Sequence, residues 1–144
     1  METILVSACL LGVNCKYSGG SNFCPEVEAL KHRYHLVPVC PEIMGGLTTP
    51  RLPAERQGEQ VVNNAGVDVT AQYIRGAEET MKLGRMFHCK IAVLKSRSPS
   101  CGRDFIYDGT FTGTLVPGDG VAAERLKAQD YRIFTEEEIM AGDL

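Results

Sequence analysis

Leu94-Lys95-Ser96-Arg97-Ser98-Pro99-Ser100-Cys101-Gly102 ends an apolar run, Ile91-Ala92-Val93-Leu94, in small, polar and turn-forming residues. Four apolar residues between Lys90 and Lys95 read as a short strand covered on both faces, and the Ser, Pro and Gly that follow are turn chemistry. The stretch therefore delivers a thiol, Cys101, from the end of a buried strand into a loop. Two other cysteines arrive in the same way. Ile4-Leu5-Val6-Ser7-Ala8 runs into Cys9, and His35-Leu36-Val37-Pro38-Val39 runs into Cys40. In open α/β sheets ligands bind beyond the carboxyl ends of the strands, so these three cysteines mark one candidate site.

Working outward, the stretch 10–22 is too rich in Gly, Asn and Ser for regular structure, and a long ordered loop of this kind is usually functional. It carries Cys15 and leads past Cys24 into a helix expected over 25–34, with Pro25 at its first position and Glu26 and Glu28 near the positive end of its dipole. Both cysteines lie at the same sheet edge as Cys9 and are open to joining its site. Strand 35–39 leaves into Cys40 to Glu55, where prolines 41, 50 and 53 and the pair Gly45-Gly46 predict extended and turn conformations over the strand ends. A short hairpin is expected over 59–67 about Asn63-Asn64-Ala65-Gly66. A helix from Asp68 or Thr70 to about Phe87 follows, its stripe Val69, Tyr73, Ala77 and Met81 facing the core.

Beyond Cys101, Phe105-Ile106-Tyr107 and Thr110-Phe111-Thr112 flank Asp108-Gly109, which predicts a tight hairpin. Pro117-Gly118-Asp119-Gly120 opens a helix over 121–129, strand 131–134 follows, and Thr135 with Glu138 forms a capping box for a last helix. The alternation implies an α/β fold in one domain, 1–144. It is three-layered, with a mostly parallel sheet of four to five strands, helices on both faces and the site at the carboxyl ends of the strands. The expected order of the four main strands is 2-1-3-4. Strands one and three then bracket the switch point and bring Cys9 and Cys101 together, with Cys40 nearby.

The chain has 144 residues and a formal net charge of -3, which gives no general attraction for a phosphate backbone and argues against a nucleic-acid polymer as partner. No long apolar run and no basic leader are present, so a cytoplasmic protein with no membrane segment is expected. Cytosolic thiols stay reduced, which turns six cysteines away from a disulfide framework and toward metal binding or catalysis. Cys89 is the exception. It precedes strand 91–94, falls at the opposite sheet edge and reads as a small buried hydrophobe.

Three converging thiolates can bind zinc, hold an iron–sulfur cluster at three of its irons, or do covalent sulfur chemistry. The absence of Cys-x-x-Cys, with His32, His35 and His88 away from the three loops, weakens zinc. A cluster with three protein ligands keeps one iron open as a Lewis acid for a soft substrate sulfur. Glu42, two residues from Cys40, can act as a general base, and the Ser98 hydroxyl, three residues before Cys101, can position a reactant. The ordinary alternatives are a solvent-facing Glu and a Ser bonded to its own backbone. Arg51 can orient an anionic or carbonyl group or stand in solvent, and Gly118 and Gly120 can offer amides to a nucleotide phosphate or make a plain capped turn.

Ser7-Ala8-Cys9-Leu10-Leu11-Gly12, Val39-Cys40-Pro41-Glu42 with Gly45-Gly46-Leu47 and Thr49-Pro50-Arg51, and Leu94 to Gly102 resemble the signature blocks of the thiouracil desulfidase (TudS) family, in order and across essentially the whole chain. The resemblance implies an oxygen-sensitive [4Fe-4S] cluster on Cys9, Cys40 and Cys101, one that aerobic preparation is expected to strip. It implies a fourth iron that takes the sulfur of a thiolated pyrimidine, with Glu42 and Ser98 as catalytic carboxylate and hydroxyl. Water replaces the sulfur, giving an oxo-pyrimidine and hydrogen sulfide with no net redox change. The implied substrates are thiouracils and 4-thiouridine monophosphate. Two other readings stand beside it, a persulfide sulfur carrier and a non-catalytic metal-binding domain.

Overall fold

The computed structural model describes residues 1–144. Its centre is a four-stranded sheet of β1 (Thr3–Ser7), β2 (His35–Val39), β5 (Ile91–Leu94) and β8 (Arg132–Thr135), in the order β2-β1-β5-β8. All three pairings are parallel, with Leu5 opposite Ala92 and Val37, and Val93 opposite Phe134. This is the order expected from the sequence. Side chains alternate across the sheet as strand geometry requires. Ile4, Val6, Ile91 and Val93 pack with Val27, Leu30 and Ile139. Leu5, Ala92 and Leu94 pack with Ala123, Leu126, Met81 and Leu83. The helices are α1 (Pro25–Glu28, continued as a 3-10 turn Ala29–His32) and α5 (Glu136–Met140) on one face, α3 (Thr70–Met86) and α4 (Val121–Ala128) on the other. Each fully buried aliphatic side chain contributes about 1.5–3 kcal/mol, so the doubly covered β1 and β5 anchor the fold.

The structure corrects local expectations at two points and adds a hairpin at a third. Residues after Cys40 are not simply extended, because Pro41–Met44 form a helical turn, α2, with proline at its favoured first position. This turn is pressed against α3 backbone to backbone. A Cβ on Gly76 would come within 1.8 Å of the Pro41 carbonyl oxygen, and one on Gly45 within 1.9 Å of the Gln72 carbonyl oxygen. A hairpin the sequence reading did not include pairs β3 (Ala54–Gln57) with β4 (Gln60–Asn63) about Gly58-Glu59. The expected turn about Asn63–Gly66 follows it, with Val62 bridged antiparallel to Asp68 and Asn63 accepting the amides of Ala65 and Val67. The second hairpin pairs β6 (Phe105–Tyr107) with β7 (Leu115–Pro117), leaving Asp108–Thr114 as its loop. The tight Asp-Gly turn loses because Glu55 of β3 accepts the amides of both Gly109 and Phe111 and draws the loop inward.

The remaining boundaries agree closely. The long helix spans Thr70–Met86, Asp68 accepts the Thr70 amide, and the Thr135–Glu138 capping box is formed. No helix is long and apolar enough to cross a membrane.

Candidate active site

The three strand-end cysteines open onto one cavity of about 540 Å3 at the carboxyl edge of the sheet. Cys9 sits in the 3-10 turn Ala8–Leu11 that continues β1, Cys40 caps the N-terminus of α2, and Cys101 closes the loop after β5. Glu42, Arg51 and Ser98 line the same cavity, as does Cys15. Cys24 does not. It is packed in the α1 face of the core, with its thiol toward Glu26. The exposed His32, His35 and His88 stand apart from the cavity.

The Cys101 loop is built from inside. Ser98 Oγ accepts the amides of Ser100 (3.1 Å) and Cys101 (3.0 Å), and Gly102 donates its amide to the Ser98 carbonyl. The start of α4 clamps the other side of the loop, with the amides of Gly120, Val121 and Ala122 donated to the carbonyls of Gly102, Pro99 and Ser100. The positive end of the α4 dipole is thereby turned on the segment that carries Cys101. A Cβ on Gly120 would lie 2.5 Å from the Ser100 carbonyl carbon, so only glycine permits this approach. Gly118 and Gly120, read from sequence as possible phosphate donors, are therefore otherwise engaged. Gly118 donates to Asp104, Gly120 to Gly102, and neither lines the cavity.

Glu42 is held at both oxygens. Arg51 Nε donates to Oε1 at 3.0 Å and Ser100 Oγ donates to Oε2 at 2.9 Å. Arg51 is not in solvent, since the two side chains are 8% and 15% exposed. Its remaining N–H groups reach the carbonyls of Thr48 and Cys15 and the Thr49 hydroxyl, tying two segments to the carboxylate. Burial first, then the nearby Glu42 charge, holds the Tyr73 phenol well above its ordinary value. Ser100, which the sequence reading passed over, also lies 3.0 Å from Ser98 Oγ and 3.6 Å from Cys101 Sγ. Its only sequence signal was its place beside Cys101.

Lys95 and Glu136 pin the start of the loop. Glu136 accepts the Ser96 amide at 2.8 Å and the Ser96 hydroxyl at 3.0 Å, and pairs with Lys95 Nζ at 2.8 Å. Burial works against its charge, but the Lys95 and Ser96 contacts prevail and hold the carboxyl below its ordinary value. No feature of the sequence singled out Glu136.

The thiols differ in what surrounds them. Burial raises Cys9, while a contact from Asn22 pulls it back; burial pushes Cys101 up to about 12 against contacts from Ser7 and Ser100. Cys15 is also pushed up to about 12, by burial first and then by its neighbour Cys40. Cys9 and Cys101 thus have hydrogen-bond donors ready for a thiolate, the kind of support that metal-bound thiolates use, whereas Cys15 has only the more distant Arg51 charge. No three His, Cys, Asp or Glu donors gather about a point that a single metal ion could occupy. Thiols spread around a cavity fit a polynuclear cluster, in which each binds its own iron, better than zinc, which needs its donors around one ion.

A doubly covered parallel sheet with strand-end thiols and a braced carboxylate around one cavity defines a small α/β protein with a thiol-lined site. The chain belongs to the 2-thiouracil desulfurase family, which matches residues 4–138. It is 40% identical over 146 residues to the uncharacterized protein YbbK of Bacillus subtilis (strain 168), covering 94% of this chain and 97% of that protein. It is also similar to the solved structure of the [4Fe-4S]-dependent thiouracil desulfidase TudS. That likeness has a TM-score of 0.91 at 42% identity and covers 98% of this chain and 95% of the other.

Proposed function

We propose that this protein is a cytoplasmic [4Fe-4S]-dependent desulfidase that replaces the sulfur of a thiolated pyrimidine, a thiouracil or 4-thiouridine monophosphate, with oxygen from water. Family membership and the likeness to TudS support the reaction class. The observation that carries it to this chain is that Cys9, Cys40 and Cys101 share one cavity with the braced carboxylate of Glu42. These three cysteines are the proposed cluster ligands. When bound, the cluster would supply an open iron as Lewis acid toward the substrate sulfur.

The protein's own part is to hold the carboxylate and manage protons. Arg51 and Ser100 fix Glu42, yet each carboxylate oxygen keeps a second lone pair with which to accept a proton from the attacking water. The Arg51 guanidinium lies against the carboxylate and fixes its orientation for that step. Ser98 Oγ already accepts two backbone amides, so its own proton is free to pass to Ser100 or to a ring oxygen or nitrogen. The local backbone contact expected as the ordinary alternative is thus compatible with the catalytic role. Arg51 acts by positioning Glu42. One C–S bond breaks, one C–O bond forms, and the protons of water leave on sulfide, so no electron donor is required.

The test is anaerobic reconstitution with iron and sulfide, followed by measurement of hydrogen sulfide released from 2-thiouracil and from 4-thiouridine monophosphate. Catalytic release with the matching oxo-pyrimidine is expected. Sulfur passed only to a protein acceptor would identify a carrier instead, and zinc that iron cannot displace would identify a binding domain.

A further inference from the structure

A thiopyrimidine is a flat ring with apolar faces, and the groups placed for chemistry in this cavity are thiols, a carboxylate and hydroxyls that meet its edge. The aromatic side chains of the lining are Tyr17, Tyr107 and Phe111. Phe111 is the one set against its own conformational preference. Its φ is 58°, in the left-handed region that bulky side chains avoid, and it lines the cavity while 37% of the residue remains exposed. A strained residue persists where its surroundings over-determine it, and such strain gathers at ligand clamps.

The surroundings here are specific. Glu55 Oε1 accepts the Phe111 amide at 3.1 Å and the Gly109 amide at 3.0 Å, while Gln57 Nε2 donates to the Gly109 carbonyl at 2.7 Å. Gly109 is closed in against Gln57. The base of the hairpin is tied to the cysteine loop by the bridge between Arg97 and Ile106. The loop that carries Phe111 is therefore registered against the loop that carries Cys101. Tyr17, 48% exposed, shows no comparable restraint on its own backbone angles.

We propose that Phe111 is the platform on which the pyrimidine ring packs, and so a specificity-determining residue of this site. The inference rests on the desulfidase reading, since it is that reading which supplies a flat ring. Stacking a base on an aromatic side chain is worth enough that truncation weakens binding about 5- to 100-fold, and it tolerates exchange among aromatics. Interactions made equally in the ground and transition states alter KM and leave kcat unchanged.

The experiment uses reconstituted holoenzyme under anaerobic conditions and two readouts, kinetics with 2-thiouracil and equilibrium dialysis with labelled uracil, the expected product. Phe111→Ala and Phe111→Leu are expected to raise KM and the uracil Kd by about 5- to 100-fold, with iron content and kcat held. Phe111→Tyr is expected to retain near wild-type values. Loss in the Ala variant with full recovery in the Leu variant would mean plain apolar packing and would overturn the stack. Wild-type constants in both Ala and Leu variants at full iron content would overturn the inference while leaving the desulfidase reading intact. A wild-type holoenzyme that neither binds uracil nor releases sulfide would overturn the desulfidase reading, and this inference with it.

Discussion

The two ends of the sheet each hold a crevice with a buried cysteine and basic side chains, yet only one has the makings of a site. At the amino end, Cys89 lines a space of about 310 Å3 with Arg85, His88 and Lys90. At the carboxyl end, Cys101 lines the cavity of about 540 Å3 with Glu42 and the other strand-end thiols. Burial raises both thiols, but Cys101 has the Ser7 hydroxyl to support a thiolate, whereas the next influence on Cys89 is the Glu2 charge, which raises it further. Amides at the amino end are also already engaged, Cys89 on Gly84 and Arg132 on Lys90. A cysteine becomes a candidate ligand here through the direction of its strand and the donors around its sulfur, and residue type alone decides little.

The hardest test of that contrast removes the thiols. Cys9→Ser, Cys40→Ser and Cys101→Ser are each expected to prevent a full cluster, read as iron and acid-labile sulfide after anaerobic reconstitution. Cys89→Ser should reconstitute fully. A Cys89 variant that loses iron as the others do would break the comparison outright.

The next effect in size separates ligation from chemistry within the carboxyl end. Glu42→Gln keeps the shape of the side chain. Its carbonyl can still accept from Arg51, and its NH2 can donate to Ser100 once that hydroxyl turns toward Ser98 or Cys101, both within reach. Cluster content should therefore hold while single-turnover desulfuration falls about 100- to 10,000-fold, the usual contribution of a general base. Wild-type turnover at full iron would remove Glu42 from the reaction.

Much of this was legible in the sequence, and the reasons are particular. The apolar runs at 4–6 and 91–94 belong to doubly covered strands, so strand polarity and the edge shared by Cys9, Cys40 and Cys101 follow from the chain alone. What was missed depends on contacts between distant segments. Arg51 reaches Glu42 because α2 is a helical turn locked on α3 through Gly45 and Gly76, and no local pattern encodes that approach. The Asp108-Gly109 signal was overridden by Glu55, more than fifty positions upstream. The amides at Gly118 and Gly120 resemble an anion site in sequence, and only the fold reveals that the cysteine loop already occupies them.

A smaller effect concerns the brace under the loop. Glu136→Gln removes the charge that binds Lys95 and one of two acceptors for Ser96, which should cost about 2 kcal/mol in urea unfolding near neutral pH. The folded carboxyl titrates below its ordinary 4.5, so its contribution is present above that value and is lost as pH falls through the folded one. The gap between wild type and variant should accordingly narrow in acid. A gap independent of pH would assign the loss to packing in place of charge.

The smallest expected effect is the sharpest for the comparison, because it sets two carboxyl-end cysteines against each other. Cys15 lines the same cavity as Cys40, and its carbonyl accepts both from Arg51 at 2.9 Å and from the Cys40 thiol. Location alone would make it a fourth ligand. Its sulfur, however, lacks the hydrogen-bond donors that stand by Cys9 and Cys101, and its restraint of Arg51 runs through the backbone, which a side-chain change leaves in place. Cys15→Ser should therefore keep full iron content, with turnover within about twofold of wild type and a stability change of no more than about 1 kcal/mol, since the site is small and partly polar. Iron loss equal to that of Cys9→Ser would make Cys15 a protein ligand. A cluster with four protein ligands would have no open iron, and the proposed attack on a bound thiopyrimidine would lose its Lewis acid.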